Sequence, residues 1–172
     1  AFDSVRWSFL FKTMHKFNFG DKLIKWIRLL YSNVTSCVTN NGHASPFFSI
    51  ERGVRQGCPV SPLLFILVVE VLACNIRSNP EIRGISVKDE TFKISQLADD
   101  TTLFIKDTDS LKRVLATLDE FALISGLKLN KKKTQIMPLN MDIVSLPEMG
   151  ITWVKDAFKA LGVWFSADQL QA

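Results

Sequence analysis

Histidine and cysteine, the side chains that most often build metal centres and nucleophilic dyads, are scarce in this chain. His15 and His43 are the only two histidines among 172 residues, too isolated from each other to argue for a metal, and they are assigned surface or packing roles. Cys37, Cys58 and Cys74 are odd in number and lack Cys-x-x-Cys spacing, so neither a closed disulfide framework nor a zinc site is indicated. A reduced, intracellular setting, nuclear or cytoplasmic, is expected. Long apolar runs are missing too: the longest, Leu63 to Val69, is stopped by Glu70, well short of the roughly 18 residues that a bilayer span needs. No signal peptide or targeting signal opens the chain. The expectation is a soluble protein, or a piece of one, with no membrane partner. No initiator Met precedes Ala1-Phe2-Asp3, which reads like the middle of an element, and a fragment is expected. Internal repeats and low-complexity linkers are absent.

What is present suffices for a folded domain. With 47% hydrophobic residues over 172 positions the chain can bury a sizeable core and fits one domain of ordinary size. A formal charge of +4 and a pI near 9.0 allow an anionic partner, although so mild an excess is common in soluble proteins.

The periodicities order the elements. Trp7, Leu10, Met14 and Phe17 recur at helical spacing with Gly20 as the stop. Asp21 is placed to cap a second helix whose buried stripe would be Leu23, Ile24, Ile27 and Leu30. From Ser36 to Ile50 β-type residues surround Asn40-Asn41-Gly42, which predicts a hairpin turn. Ser61-Pro62 reads as a helix start, the serine capping and the proline at the first helical position, and Asn79-Pro80 as its end. Gly84 to Lys88 and Thr91 to Leu97 follow as strands around Asp89-Glu90. A helical stripe of Leu111, Val114, Leu115, Leu118 and Phe121 then runs from Thr108 to a stop at Gly126. The stretch from Met137 to Gly150 is expected to be a long loop. This order predicts an α+β fold with helices packed on one face of an antiparallel sheet.

The Ala98-Asp99-Asp100 triplet is the most informative feature. It lies between the alternating runs Phe92 to Leu97 and Thr101 to Ile105, at or near the bend between two strands. Adjacent carboxylates repel each other, and a divalent cation with oxygen ligands relieves the repulsion, which points to Mg²⁺ and phosphoryl transfer. Taken alone, a solvated Asp-Asp turn is the better account of the pair.

Its company changes that balance. The segment Arg52-Gly53-Val54-Arg55-Gln56-Gly57-Cys58-Pro59-Val60-Ser61-Pro62-Leu63-Leu64-Phe65 resembles the Gln-Gly-x-x-x-Ser-Pro motif of reverse transcriptases. Ala1-Phe2-Asp3-Ser4-Val5 is similar to the tail of that family's first palm motif, and Leu97-Ala98-Asp99-Asp100 to its aromatic-Ala-Asp-Asp motif. Gly126 to Thr134 resembles the lysine-bearing fourth motif, and Leu161-Gly162-Val163 the primer-gripping fifth. All five stand in the family's order across nearly the whole chain, and the likeness is to LINE-type, non-LTR retrotransposon polymerases.

The resemblance implies a partial reverse transcriptase domain over residues 1–172: a polymerase palm with an antiparallel sheet and packed helices, part of the fingers and no thumb. It implies two-metal nucleotidyl transfer with Mg²⁺, the two ions held about 3.5–4 Å apart, an RNA template, a DNA primer and deoxynucleoside triphosphates as partners. Asp99 would be the principal ligand and Asp100 a secondary one. The family's first catalytic aspartate would fall upstream of Ala1, so Asp3 is expected to cap a helix beginning near Ser4, and this chain alone is expected to be inactive. Phe2 would exclude a 2′-hydroxyl by volume, and Gln56 and Gly57 would line the nucleotide pocket. Arg52 and Arg55 would meet template or phosphate. Lys133, of the run Lys131 to Lys133, would neutralise pyrophosphate, and Leu161 and Gly162 would cradle the primer backbone. Leu97 and Ala160 replace aromatics usual in the family. For Phe2 core packing, and for the arginines and lysines plain solvation, are the competing roles. The alternative function is a non-catalytic retroelement remnant that at most binds nucleic acid; a palm-fold nucleotide cyclase lacks the Gln-Gly-x-x-x-Ser-Pro match.

Overall fold

A computed structural model describes residues 1–139, 150–154, 157–160 and 163–166. A 3-10 turn at Phe2–Ser4 leads through extended Val5 and Arg6 into helices α1 (Trp7–Lys16) and α2 (Asp21–Leu30). Strands β1 (Thr35–Ser36), β2 (Thr39–Asn40), β3 (His43–Ala44) and β4 (Phe48–Ser49) form two nested antiparallel hairpins. The inner one turns on Asn41 and Gly42, with φ of +47° and +78°, the doubly left-handed two-residue turn expected of Asn-Gly. The long helix α3 (Ser61–Ser78) follows, then β5 (Ile85–Val87), β6 (Glu90–Phe92), β7 (Ile94–Leu97), β8 (Asp100–Leu103) and helix α4 (Thr108–Ser125). The described remainder comprises β9 (Gln135–Ile136), β10 (Thr152–Trp153), β11 (Ala157–Ala160) and β12 (Val163–Ser166).

The mixed helix and strand class stands, but the single antiparallel sheet does not. Among the described residues the strands form six separate two-stranded ladders, and the pair β9–β10 is parallel. Each of these strands, two to four residues long, has a single ladder partner. Lys93 splits the expected strand from Thr91 to Leu97: β6 pairs back on β5, whereas β7 pairs forward with β8.

Helix ends also differ. Asn18, at φ +60°, breaks the chain after α1, so the helix stops at Lys16 and Gly20 becomes the residue preceding α2. Asp21 and Ser61 are first helical residues rather than caps, because Gly20 and Val60 take the cap positions without side-chain bonds. Ser61 is fully buried, with Cys58 and Tyr31 as its polar neighbours. Asp3 makes no cap either: α1 begins four residues later, at Trp7, behind Arg6. Leu23 and Leu30 of the expected α2 stripe are exposed, and only Ile24 and Ile27 are buried. At α4 the sequence pattern missed the cap itself. Asp107 accepts from the Ser110 N–H at 2.9 Å and pairs with Arg83 Nε at 3.0 Å. The Ser110 N–H, the Ser110 hydroxyl and the Arg83 charge hold its carboxyl below the usual range, so this stabilisation is present at neutral pH and is lost as pH falls through the lowered pKa.

α1, α3 and α4 pack around one core containing Leu10, Met14, Phe65, Val68, Ile76, Val114 and Phe121. With 18 residues and a mean hydropathy of 1.6, α3 is long and apolar enough to cross a membrane, yet Leu64, Phe65, Val68, Leu72, Ala73 and Ile76 are buried inside this protein. Phe2, Trp7, Ile94 and Leu103 pack against the same core as Phe65.

The extended Val5–Arg6 segment ties the elements together. Gly53 N–H donates to Val5 O at 2.7 Å, Val54 N–H to Phe2 O at 2.9 Å, and Trp7 Nε1 to Gly53 O at 2.7 Å. On the other side Arg6 N–H donates to Ser125 O at 2.8 Å and Arg6 Nη1 to Leu123 O at 2.6 Å. Two glycines make the approach possible. A Cβ on Gly53, at φ +95°, would lie 2.9 Å from Asp3 Cα, and one on Gly126, at φ +84°, would strike the Ser4 carbonyl oxygen. Gly126→Ala is therefore expected to destabilise the fold by about 2 kcal/mol or more in urea titration. Gly20→Ala, with open space around it, should stay within about 0.5 kcal/mol because lost cap preference and reduced chain entropy oppose each other.

Candidate active site

The β7–β8 hairpin displays the aspartate pair. Leu97 pairs with Asp100 across the ladder, which leaves Ala98 and Asp99 as a two-residue loop. Ala98 sits at φ +53°. A positive φ at the first loop position suits the right-handed twist of a tight hairpin, and an alanine held there is strained backbone of the kind found at functional sites. Below the loop Gln96 Nε2 donates to Thr101 Oγ1 at 3.3 Å, and Ile94 opposite Leu103 anchors the base of the hairpin on the core. Asp99 and Asp100 are exposed, and among the described residues neither carboxylate has a hydrogen-bond or ion-pair partner.

Two unpartnered hard oxygen donors side by side fit Mg²⁺ or Ca²⁺ rather than a soft metal. They are an incomplete cage: no group of three His, Cys, Asp or Glu able to hold a metal occurs among the described residues.

A second cluster forms around Phe2. Its ring stacks on buried Phe65, centroids 4.5 Å apart and planes 11° from parallel. One ring face is thus fixed by the core while the residue stays half-buried. The backbone bonds from Gly53 and Val54 bring the loop carrying Arg52, Arg55, Gln56 and Gly57 against the same segment. All four of these residues are exposed. Gly57, at φ +83°, has nothing within 4 Å of a built Cβ, so it serves the turn and leaves the space beside it open.

Cys58, next in the chain, is a feature that no sequence pattern singles out. The Val60 N–H, the Ser61 hydroxyl and N–H and the Arg55 charge lower its thiol pKa, outweighing the burial that raises it. Beside it burial raises the Tyr31 hydroxyl, against a lowering contact from Ser61. Tyr31, Cys58 and Ser61 thus form one polar group at the start of α3, and the signal available in sequence was only a cysteine three residues before the first residue of a helix.

Lys131, Lys132 and Lys133 are exposed in a turn that precedes β9. Asn130 fastens it, its carbonyl oxygen accepting from the Lys133 and Thr134 N–H groups, each at 3.0 Å, and from Thr134 Oγ1 at 2.8 Å. Leu161 and Gly162 lie outside the described residues. Backbone hydrogen bonds bring Phe2 and the 52–57 loop together; the hairpin and the segment leading to the lysine turn are related to them through the core that Ile94, Leu103 and Leu127 share with Phe2.

Comparison with known proteins gives the family. Residues 1–165 match the family model described as reverse transcriptase (RNA-dependent DNA polymerase). The chain is 28% identical over 174 residues, 98% of its length, to the transposon TX1 uncharacterized 149 kDa protein of Xenopus laevis, of which it covers 13%. It is 31% identical over 135 residues to a retrovirus-related Pol polyprotein from type-1 retrotransposable element R2 of Popillia japonica, covering 78% of this chain and 19% of that protein. To the corresponding polyprotein of type-2 element R2DM of Drosophila melanogaster it is 28% identical over 180 residues, 97% of this chain and 17% of that protein. The chain therefore spans less than a fifth of the length of these relatives.

The lowered Cys58 thiol sets a pH dependence. A pKa below the usual cysteine range leaves more thiolate at a given pH, and the thiolate is the nucleophile. Cys58 should react with iodoacetamide before Cys37 and Cys74 at pH 7.5, with a rate that reaches its plateau at lower pH. Arg55→Gln should shift that profile upward. Peptide mapping after timed alkylation would check it; equal labelling of all three thiols would count against the local geometry.

Proposed function

Because the chain belongs to the reverse transcriptase family, we propose that it is the palm, with part of the fingers, of an RNA-directed DNA polymerase from a non-LTR retroelement. In this reading it extends a DNA primer on an RNA template with deoxynucleoside triphosphates. The observation that carries it is the pair of exposed, unpartnered carboxylates on a strained two-residue turn, rooted in the core that also fixes Phe2 and the 52–57 loop.

A divalent cation held by Asp99, with Asp100 beside it, would supply Lewis-acid activation of the primer hydroxyl and neutralise charge on the phosphates. The protein's own contribution is positioning. Phe2, braced by Phe65, presents a rigid ring edge that sterically opposes a ribose 2′-hydroxyl. Gln56 and Gly57 leave room for a nucleotide to approach the backbone, and Arg52 and Arg55 offer charged hydrogen bonds to phosphate oxygens. Lys133, on its fastened turn, is placed in the role of neutralising departing pyrophosphate, and Leu161-Gly162 in that of supporting the primer strand. An intracellular setting, nuclear or cytoplasmic, goes with this reading.

Two carboxylates do not complete a two-ion cage, so this 172-residue chain alone is expected to extend no primer. In the longer Pol polypeptide that contains it, Asp99→Asn should lower single-nucleotide incorporation by at least about 10³-fold with the melting temperature unchanged, an effect on the scale of losing a principal electrostatic group. Phe2→Val in the same polypeptide should raise ribonucleotide relative to deoxyribonucleotide incorporation. Normal extension by the Asp99→Asn variant would refute the assignment.

A further inference from the structure

The positive charge of this protein is not spread evenly. Residues 6–28 hold Arg6, Lys12, Lys16, Lys22, Lys25 and Arg28 against a single acid, Asp21, a net +5; the rest of the chain carries 15 basic and 16 acidic residues, a net −1. The whole excess therefore sits on α1, α2 and the residue before them.

On α2 this charge meets an unusual exposure. Ile24 and Ile27 face the core, and Arg28 lies over the Phe11 ring at 4.2 Å, so those three are committed inward. The opposite face carries Lys22, Lys25, Trp26 and Leu29 at three- and four-residue spacing, which places them side by side. Trp26 is 68% exposed, and Leu23 and Leu30 flank it at 46% and 57%. A tryptophan left largely in water is costly, and the two lysines beside it lack ion-pair partners among the described residues. Asp21 is directed elsewhere, 3.8 Å from His15.

We propose that this outer face of α2 binds single-stranded nucleic acid, Trp26 stacking on a base while Lys22 and Lys25 meet the flanking phosphates. An aromatic platform between cations is the arrangement by which proteins hold single strands without reading sequence. Lys22 and Lys25 stand one helical turn apart, about 5–6 Å between Cβ atoms, a separation on the scale of neighbouring phosphates. A partner helix fits less well, because its apolar seam would have to cover both ammonium groups next to the ring. The inference stands on charge and exposure in α2 and is independent of the aspartate hairpin.

The test uses the full chain and fluorescein-labelled oligo(dT) and oligo(U), with affinity read by anisotropy over a series of salt concentrations. The variant Lys22→Ala/Lys25→Ala should lower the slope of log affinity against log salt by about 1.4, about 0.7 for each phosphate of a single strand that is no longer neutralised. Trp26→Ala should weaken binding roughly 5- to 100-fold with that slope unchanged, as loss of base stacking requires, and Trp26→Phe should recover most of it. Lys112→Ala on α4, equal in charge to one lysine loss, should leave affinity within about twofold. If the α2 variants bind like the parent while Arg52→Ala or Arg55→Ala loses affinity, the inference fails and the polymerase reading survives. It fails equally if polyglutamate competes as well as oligo(dT), or if Trp26→Ala acts by dissociating a dimer in sedimentation.

Discussion

The structure depends on one backbone clasp. Val5 and Arg6 run extended between the 53–54 loop and the C-terminal end of α4, and hydrogen bonds hold the segment on both sides. An extended segment enclosed between two others must satisfy its polar groups with neighbours rather than water, and here those neighbours are the two regions the site requires. On one side the bonds set the loop of Arg52 to Gly57 against Phe2. On the other they stop α4 at Gly126, from which the chain departs toward the lysine turn. Both approaches need a residue without a side chain at positive φ, which is why Gly53 and Gly126 cannot be exchanged for alanine without moving main chain.

The hairpin with the aspartates is built the opposite way. Its tip is exposed and makes little use of the core; only Ile94 and Leu103 at its base are packed. Presenting two carboxylates in water avoids the large desolvation cost of burying them. The packed base of the hairpin and its charged tip are thus kept apart.

Charge follows a similar division. The hairpin is acidic at its tip, whereas the excess of positive charge lies on α1 and α2. The field at these helices is more positive than the chain-wide value of +4 suggests, because a face, and not an average, sets the local potential.

Sequence alone determined the helices with clear periodicity, the Asn41-Gly42 turn, the hairpin bend at Ala98 to Asp100 and the family, since each rests on local spacing or ordered motifs. α3 and α4 were legible because Leu64, Phe65, Val68, Val114 and Phe121 repeat on one face, and Gly126 was legible as a stop because only glycine takes that conformation cheaply. Only the tertiary structure decided which apolar residues are covered: Leu23 and Leu30 share the spacing of Ile24 and Ile27, but among the described residues no neighbouring element covers their side of α2. It decided that Asp3 and Ser61 cap nothing, since neither side chain meets an unpaired helix N–H, and that the expected sheet is a set of separate ladders, since pairing depends on where short strands end. It also decided that Phe2 rests on Phe65 across 63 positions of chain. Such contacts arise from packing between distant segments, and no local pattern encodes the distance between them.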